Sequence, residues 1–288
     1  MPGLKDWLQL ARIPAVFTAL SNILAAFFIS GADVALLPQL IALLVASASL
    51  YSAGMVLNDC FDYAEDARER PGRPLPSGRI SRRKAWIVGF ALLLIGIIAG
   101  FQAGRLSGLI ALGIAALVLL YDGLAKHYVS GSVVMGGCRY LNWLLGLSVA
   151  GWQVAWFWVG LPIFIYIASV TWLSRQETQA SDPNTVWGCG LGIALSSIMM
   201  LILVQHLGGH WWGLLGMLPA LGFLLRRLMI THAEYTPANI QNTIRILIMS
   251  VIPLDALMVA FLGPWWGVVP VLILFLPGKV IARHLYVT

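Results

Sequence analysis

The strongest chemical signal in the chain is a run of oxygen-bearing side chains between positions 58 and 66. The run contains Asn58, Asp59, Asp62 and Asp66, and in a continuous helix the three aspartates would lie at positions i, i+3 and i+7. At about 100° per residue, this spacing places three carboxylates within an arc of about 60°, where their charges repel unless a cation neutralises them. Hard oxygen ligands with open coordination positions suit Mg²⁺ that is also bound to water and substrate phosphate. The run therefore predicts a magnesium site formed by these four residues.

A solvated, charged loop end is the alternative interpretation of the same run. The acids would then form surface ion pairs with Arg68 and Arg70, and such pairs contribute little to stability. This alternative explains neither Asn58 nor the regular spacing of the aspartates, so we favour the metal site.

Basic residues suited to phosphate follow the acidic run in two places. Arg73 opens the sequence Arg-Pro-Leu-Pro-Ser-Gly-Arg at 73–79, where two prolines fix the chain path and an arginine fork matches phosphate geometry. Lys126 ends the sequence Tyr-Asp-Gly-Leu-Ala-Lys at 121–126, from which it can reach a diphosphate as a point charge beside Tyr121. The alternatives are positive charge that orients the chain in the membrane and, for Lys126, snorkelling to the interface.

A further polar segment at 174–182 carries Arg175, Glu177 and Asp182. It is a weak signal by itself, because polar loops must connect membrane helices in any case. Its weight comes from facing the acidic run on the same side of the membrane, where it could add phosphate and metal ligands. Pro183 disfavours a helix through this segment, so we expect a loop.

Four polar residues fall inside hydrophobic segments, where buried charge is costly. They are Arg139 and Asn142 in one segment and Arg245 and Asp255 in another. Arg245 and Asp255 are ten residues apart, about 15 Å of helical rise, and do not pair with each other. Contact with a bound polar head group and structural contact between helices are both open for all four. We include Arg139 and Asn142 among the candidate diphosphate-binding residues.

The elements that must position these side chains are membrane-spanning helices. Of the 288 residues, 59% are hydrophobic and 10% are charged, whereas soluble domains contain about 25% charged residues. Apolar stretches long enough to cross a bilayer lie near 8–30, 37–57, 84–104, 106–125, 132–151, 154–174, 186–206, 211–230, 240–262 and 265–282. The pattern predicts an all-α polytopic membrane protein, a bundle of about nine to ten transmembrane helices in a single domain over residues 1–288.

The basic residues divide unequally between the two sides of this bundle. With the N-terminus in the cytoplasm, 15 of the 18 lysines and arginines lie on the cytoplasmic side, one lies on the opposite side and two lie inside segments. The positive-inside rule explains both this asymmetry and the net charge of +6, so we expect no nucleic-acid partner. The acidic run, the 174–182 segment and both termini fall on the cytoplasmic side.

Other sequence features are few. The three cysteines, Cys60, Cys138 and Cys189, are widely separated and form no CxxC pair, which argues against a zinc site or a disulfide framework. The first apolar stretch lacks a small-residue cleavage pattern, so we expect no removable signal peptide.

Together, these residues resemble the UbiA superfamily of intramembrane prenyltransferases. Its first motif, NDxxDxxxD, is matched by Asn58, Asp59, Asp62 and Asp66, its RPLPSG stretch by residues 73–78, and its Tyr…Lys segment by Tyr121 and Lys126. The resemblance covers most of the chain in motif order. It implies a helical bundle around a central cavity, with Mg²⁺ and an isoprenyl diphosphate bound under a cytoplasmic cap.

Two features depart from the family pattern. The second acidic motif is usually DxxxD, whereas this chain has Glu177 and, one residue late, Asp182. We expect Glu177 to bind metal directly and Asp182 more weakly, so Glu177→Gln should raise the Mg²⁺ requirement more than Asp182→Asn. The family usually has nine crossings rather than ten. The Arg-Gln-Glu sequence at 175–177 faintly resembles a divergent branch from bacterial secondary-metabolite (ebo-type) gene clusters, which implies secondary metabolism in a bacterial inner membrane.

The resemblance implies that an isoprenyl group moves from a prenyl diphosphate to an aromatic or other small acceptor. Mg²⁺ would neutralise the diphosphate, basic residues would stabilise its growing charge, and an apolar cavity would keep the allylic cation from water. The expected catalytic residues are Asp59, Asp62, Arg73, Tyr121 and Lys126, and Arg175 is a further candidate for the diphosphate.

Three other functions are weighed against transfer. A membrane terpene cyclase would share the ionisation step but use no acceptor. A phosphatidyl transferase of the CDP-alcohol type needs a longer DG…AR…G…D…D spacing, which does not follow Asp122-Gly123. A transporter would need acids near mid-membrane, whereas this acidic run lies at the interface.

Overall fold

Every regular element in the described part of the chain is helical. The computed structural model describes residues 3–151, 153–178 and 180–285. The α-helices in chain order are α1 (Leu4–Leu10), α2 (Ile13–Ile29), α3 (Leu37–Phe61), α4 (Tyr63–Glu69), α5 (Arg82–Ala103), α6 (Arg105–Leu120), α7 (Ser130–Leu147), α8 (Val154–Val159), α9 (Leu161–Ser174), α10 (Asn184–Leu207), α11 (Leu214–Ala233), α12 (Pro237–Met249), α13 (Val251–Leu262), α14 (Val268–Ile273) and α15 (Phe275–Leu285). The predicted all-α class is confirmed.

Within the described ranges, nine helical stretches are long and apolar enough to cross a membrane. They are Val34–Phe61, Arg82–Ala103, Arg105–Ala125, Ser130–Ala150, Val154–Ser174, Asn184–Leu207, Trp211–Ala233, Pro237–Leu262 and Trp265–Arg283. α1 and α2 meet at a bend of 54° and provide a tenth crossing if they count as one span. These stretches correspond to the predicted apolar segments and describe a multi-pass membrane protein.

Close packing of α3 against α5 holds the helix that carries the acidic run. Gly89 and Gly96 of α5 face Leu57 and Leu50 of α3, and a Cβ added at either glycine would lie 2.6 Å from the leucine side chain. Small residues let membrane helices approach closely enough for van der Waals packing to hold them together. α3 is therefore fixed along the two turns that precede its polar end.

The two polar segments that the charge distribution assigns to one side meet at one end of the bundle. Arg12, at the start of α2, contacts Asp59 near the end of α3 at 3.2 Å. Arg70 contacts Glu177, which follows α9, at 2.9 Å. The acidic run and the 174–182 segment therefore share one end, as alternating crossings require.

Residues 70–81 form an irregular cap over this end of α3. Leu75 and Ile80 are almost fully buried and lie in a small apolar cluster with Leu10 of α1 and Cys60 of α3. The cluster anchors the proline-framed turn, so that basic residues at its start are held above the acidic run.

Candidate active site

The helix that carries the acidic run is interrupted at Asp62. α3 ends at Phe61, Asp62 has φ −81° and ψ 5°, and α4 begins at Tyr63. The continuous helix assumed from the spacing is not formed. Three like charges on one helical face repel each other, and the break lets Asp62 meet a different cation from the one that Asp59 and Asp66 share.

Arg73 bridges two of the three aspartates. Its Nη1 lies 2.6 Å from Asp66 Oδ2 and 3.6 Å from Asp59 Oδ1. Asp59 and Asp66 are each only 4% exposed, and a buried carboxylate requires a partner. The structure thus places Arg73 among the predicted metal ligands, where it neutralises them while no metal is bound.

Lys126 reaches the third aspartate from a different helix. Residues Tyr121–Ala125 form a π-helical turn after α6, and Lys126 N donates to Tyr121 O at 3.0 Å. Lys126 Nζ contacts Asp62 Oδ1, and the lysine side chain is 10% exposed. Lys126 is directed into the site and does not snorkel to the interface. Single π-turns inside helices are rare and frequently lie at functional sites.

Arg12 is a site residue that the sequence reasoning does not identify. Its Nη2 donates to Asp59 Oδ1 at 3.2 Å. Its backbone is left-handed, with φ 48° and ψ 47°, a conformation that costs a non-glycine residue about 1–2 kcal/mol. The strained residue lies at the bend between α1 and α2. From the sequence, Arg12 is indistinguishable from a charge that orients the chain.

Asp122 is the second residue that the sequence reasoning does not assign to the site. Its Oδ1 accepts a hydrogen bond from Asn58 Nδ2 at 3.0 Å. Asp122 is 3% exposed, and its Oδ2 is buried without a hydrogen-bond partner among the residues that the structure describes. The available signal was an acid beside Tyr121 at the end of an apolar segment.

A cavity of about 130 Å³ lies between α2, α3, α6 and α7 and reaches the acidic run at Asn58. Arg12, Asn58, Tyr121 and Asp122 line it beside the acidic run. The remaining lining residues are mostly apolar or aromatic, and the wall comprises Ala19, Ser47, Leu50, Tyr51, Gly54, Met55, Ile114, Val118, Met135, Cys138, Arg139 and Asn142. A charged mouth and an apolar interior suit a ligand with an anionic end and a hydrocarbon tail.

Arg139 and Asn142 line this cavity and are both tied to α2. Arg139 Nη2 donates to Thr18 Oγ1 at 2.7 Å, and its guanidinium lies 4.9 Å from the ring centre of Tyr51. Asn142 Nδ2 donates to the backbone oxygen of Ala19 at 2.9 Å. Because Tyr51 precedes Asn58 by about 10 Å of helical rise, Arg139 lies deeper in the bundle than the acidic run. The structure does not bring it into contact with the aspartates.

Asp255 is held in a structural network. Its carboxylate accepts hydrogen bonds from Ser21 Oγ at 2.5 Å, from Asn22 Nδ2 at 2.8 and 2.9 Å, and from Trp143 Nε1 at 3.1 Å. These bonds join α13 to α2 and α7. Full satisfaction of a buried carboxylate favours a role in helix association for Asp255, while Arg245 is exposed on α12.

Residues 175–178 and 180–182 of the second acidic segment form no helix, as expected, but its acids have partners away from the first run. Glu177 Oε1 accepts from Arg70 Nη2 at 2.9 Å. Asp182 Oδ1 accepts from the backbone nitrogen of Asn184, at the start of α10, at 3.0 Å. Arg175 is exposed at the end of α9. The structure therefore does not bring Glu177, Asp182 or Arg175 to the predicted metal ligands.

The donor set at the cavity mouth fits Mg²⁺ that arrives with a phosphate ligand. Within the ranges that the structure describes, no three His, Cys, Asp or Glu side chains form a ready-made metal cluster. Mg²⁺ does not require one, because it is commonly held by one or two carboxylates with water and substrate phosphate. Asn58, Asp59, Asp62 and Asp66 supply hard oxygen atoms, and the unpartnered oxygen of Asp122 lies beside them.

Comparison with known proteins gives one family. A sequence profile of the UbiA prenyltransferase family matches residues 19–239, which include the acidic run, Arg73, the segment 121–126 and the segment 174–182. The digeranylgeranylglyceryl phosphate synthase of Methanothermobacter thermautotrophicus is 29% identical over 164 residues, which cover 56% of this chain and 57% of that protein. The chain thus spans little more than half the length of this curated relative.

Solved structures share the helical fold. A structure from a study of digeranylgeranylglyceryl phosphate synthase in membranes has a TM-score of 0.66 at 21% identity, covering 90% of this chain and 99% of the other. A UbiA homologue from Archaeoglobus fulgidus, solved with DMAPP and Mg²⁺, has a TM-score of 0.53 at 17% identity, covering 97% and 98%. The named relatives are archaeal, and they support neither the ebo-type branch, nor secondary metabolism, nor a bacterial inner membrane.

Proposed function

Because the chain belongs to the UbiA prenyltransferase family, we propose that it is a Mg²⁺-dependent enzyme that transfers an isoprenyl group from a prenyl diphosphate to an acceptor. The observation that carries the proposal is the set of three aspartates that follow Asn58 beside the cavity, each paired with a cation that a metal–diphosphate complex can replace. The names of the synthase relative and of the homologue solved with DMAPP and Mg²⁺ support the same reaction class.

In this proposal the acidic run binds the metal, and the cations paired with it bind the diphosphate. Asn58, Asp59, Asp62 and Asp66 are the residues that would hold Mg²⁺, which when bound neutralises the leaving diphosphate. Carboxylates that held the metal would release the cations now paired with them, and these cations would then be available to diphosphate oxygens. Those cations are Arg12, Arg73 and Lys126.

The reaction exchanges one bond at C1 of the prenyl chain. The C1–O bond breaks and its electron pair leaves with the diphosphate, whose charge Arg73 and Lys126 stabilise. The apolar cavity excludes water from the allylic cation, and the faces of Tyr51 and Tyr121, which line it, favour positive charge. The acceptor nucleophile then bonds to C1 and releases a proton.

The cavity suits an acceptor whose reacting part is small. Its volume of about 130 Å³ is close to that of an engineered cavity of about 150 Å³ that binds benzene. Arg139 and Asn142 in its wall add polar contacts for the acceptor. A volume of this size holds a single ring or one isoprenyl unit, so the rest of the prenyl chain, and all but the reacting end of a glyceryl phosphate lipid of the kind named for the relative, would lie outside it.

The product distribution tests this function. Membranes that contain the protein, fed labelled prenyl diphosphates of several lengths, should form a prenylated product only when cell extract supplies an acceptor. Mass spectrometry of the extracted products measures this. Formation of a cyclic hydrocarbon from prenyl diphosphate alone would show a terpene cyclase instead, and recovery of unreacted substrate in every mixture would contradict both.

The orientation of the site is a second testable part of the proposal, in which residues 1–288 form one domain with its polar end in the cytoplasm. In a variant without the native cysteines, Arg70→Cys should resist an impermeant maleimide added to intact cells and react after permeabilisation. Gln153→Cys, at the other end of the bundle, should react from outside. Labelling at position 70 in intact cells would reverse the orientation. The matching terminal site at 286 lies outside the described residues.

A further inference from the structure

One carboxylate beside the cavity mouth has only half of its acceptor capacity satisfied. Asp122 is 3% exposed, Oδ1 accepts from Asn58 at 3.0 Å, and Oδ2 has no hydrogen-bond partner among the described residues. Asp59, Asp62 and Asp66, by contrast, each contact a cation. An unpartnered buried carboxylate oxygen is destabilising, and in native proteins such an atom usually has a functional explanation.

The π-turn brings both of its ends to the acidic run. Asp122, at its second position, contacts Asn58, and Lys126, which follows it, contacts Asp62. In the π-turn, Lys126 N bonds to Tyr121 O five residues earlier, whereas an α-helical bond spans four. The π-turn thus inserts one extra residue into the backbone hydrogen-bond ladder at the point where the chain faces the acidic run. The contacts of Asp122 with Asn58 and of Lys126 with Asp62 hold both ends of the turn there.

The acids of the second acidic segment make no ion pair or hydrogen bond with Asn58, Asp59, Asp62 or Asp66 among the described contacts. Glu177 is paired with Arg70, and Asp182 accepts from the first turn of α10. Asp122 offers the same donor type, a carboxylate, and is in direct contact with Asn58.

We propose that Asp122 binds the catalytic metal directly through Oδ2, in place of the second acidic segment. Asp122 Oδ1 accepts a hydrogen bond from the amide nitrogen of Asn58. The amide oxygen of Asn58 is then left to bind the metal. This inference rests on the proposed function, because it concerns the metal that the prenyl diphosphate brings.

Metal binding tests the assignment without turnover. Purified protein is titrated with Mn²⁺ in the presence of an unreactive prenyl thiolodiphosphate, and bound Mn²⁺ is measured by electron paramagnetic resonance. Asp122→Asn should weaken Mn²⁺ binding roughly tenfold or more. Glu65→Gln, which removes an exposed charge from α4, should change it by much less. Glu177→Gln tests the competing assignment, and a larger loss there than in Asp122→Asn would overturn the proposal.

A comparison of two substitutions separates a ligand from a residue that only positions Asn58. Asp122→Asn retains an oxygen that can accept from Asn58 but replaces the second oxygen with a donor, whereas Asp122→Ala removes both. A direct ligand predicts similar losses in Mn²⁺ affinity for the two variants. Normal Mn²⁺ binding in Asp122→Asn, with a loss only in Asp122→Ala, would overturn direct ligation.

A spectroscopic measurement distinguishes loss of a metal ligand at position 122 from loss of folding. Asp122→Cys in a background without the three native cysteines, of which Cys138 lines the same cavity, should bind Cd²⁺ with the thiolodiphosphate and show an ultraviolet sulfur-to-cadmium charge-transfer band, which the cysteine-free parent lacks. Absence of this band in folded protein with bound Cd²⁺ would exclude position 122 from the metal. If the wild-type protein binds no Mn²⁺ with the thiolodiphosphate, the proposed function fails as well. If the wild-type protein binds Mn²⁺ with the thiolodiphosphate and Asp122→Asn binds it with equal affinity, only the assignment of Asp122 fails.

Discussion

Asp62→Ala should lower turnover by about three orders of magnitude and leave the fold intact. Asp62 lies at the break between α3 and α4, outside the regular helices, and its side chain is 21% exposed, so its removal creates no cavity in the bundle. The substitution removes a carboxylate that is proposed to bind the metal, and it leaves Lys126 without its carboxylate partner. Steady-state product formation at saturating prenyl diphosphate measures the loss, and Mg²⁺-dependent binding of an unreactive diphosphate should weaken in parallel.

Glu65→Ala is the matched control for Asp62→Ala. Glu65 carries the same charge one turn later on α4, is exposed and contacts none of the three cations in the described ion pairs. Thermal unfolding in detergent should show both variants folded. Near-normal turnover of Asp62→Ala at saturating substrate would show that the acidic run is not the metal site.

Arg73→Met should reduce turnover by about two to three orders of magnitude, because one positioned donor to a developing oxyanion contributes this much. The KM for prenyl diphosphate should rise as well, since the fork also binds the ground state. Single-turnover kinetics separates the two effects. The variant leaves Asp66 buried without its cation, so a lower melting temperature is expected and must be measured alongside.

Two further variants identify what Arg73 contributes. Arg73→Lys keeps the charge but replaces the planar fork with a point charge, and should restore the melting temperature more fully than the turnover. Arg83→Met removes an exposed positive charge at the start of α5 and should leave turnover nearly unchanged. Equal losses of turnover in Arg73→Met and Arg83→Met would show that Arg73 contributes only general positive charge.

The sequence predicts the features that depend on composition and local order. Membrane crossings follow from apolar length alone, so the segments agree with the structure. Arg73 was singled out because a rigid proline turn holds it close along the chain to the acidic run. Its contacts with Asp59 and Asp66 agree with that placement.

The remaining features depend on tertiary partners that spacing does not reveal. The helix breaks at Asp62 because Lys126, from another crossing, draws this aspartate away from its neighbours. Glu177 is engaged by Arg70 across 107 positions, and Arg12 reaches Asp59 across 47. Asp122 can be recognised as a candidate ligand only from the structure, in which its Oδ2 has no hydrogen-bond partner among the described residues.

If the site binds Mg²⁺ and a diphosphate as proposed, the ion pairs of the acidic run would make the two ligands depend on each other for binding. A metal ion alone would have to displace Arg73 and Lys126 from their carboxylates and leave partly buried cations without an anion. A diphosphate alone would meet those carboxylates and be repelled. When the two arrive together, every charge exchanges one partner for another, and thermodynamic linkage requires each ligand to raise the affinity for the other by the same factor. Under the proposed function, the metal–diphosphate complex would be the true substrate of this site, and its two parts would bind with positive cooperativity.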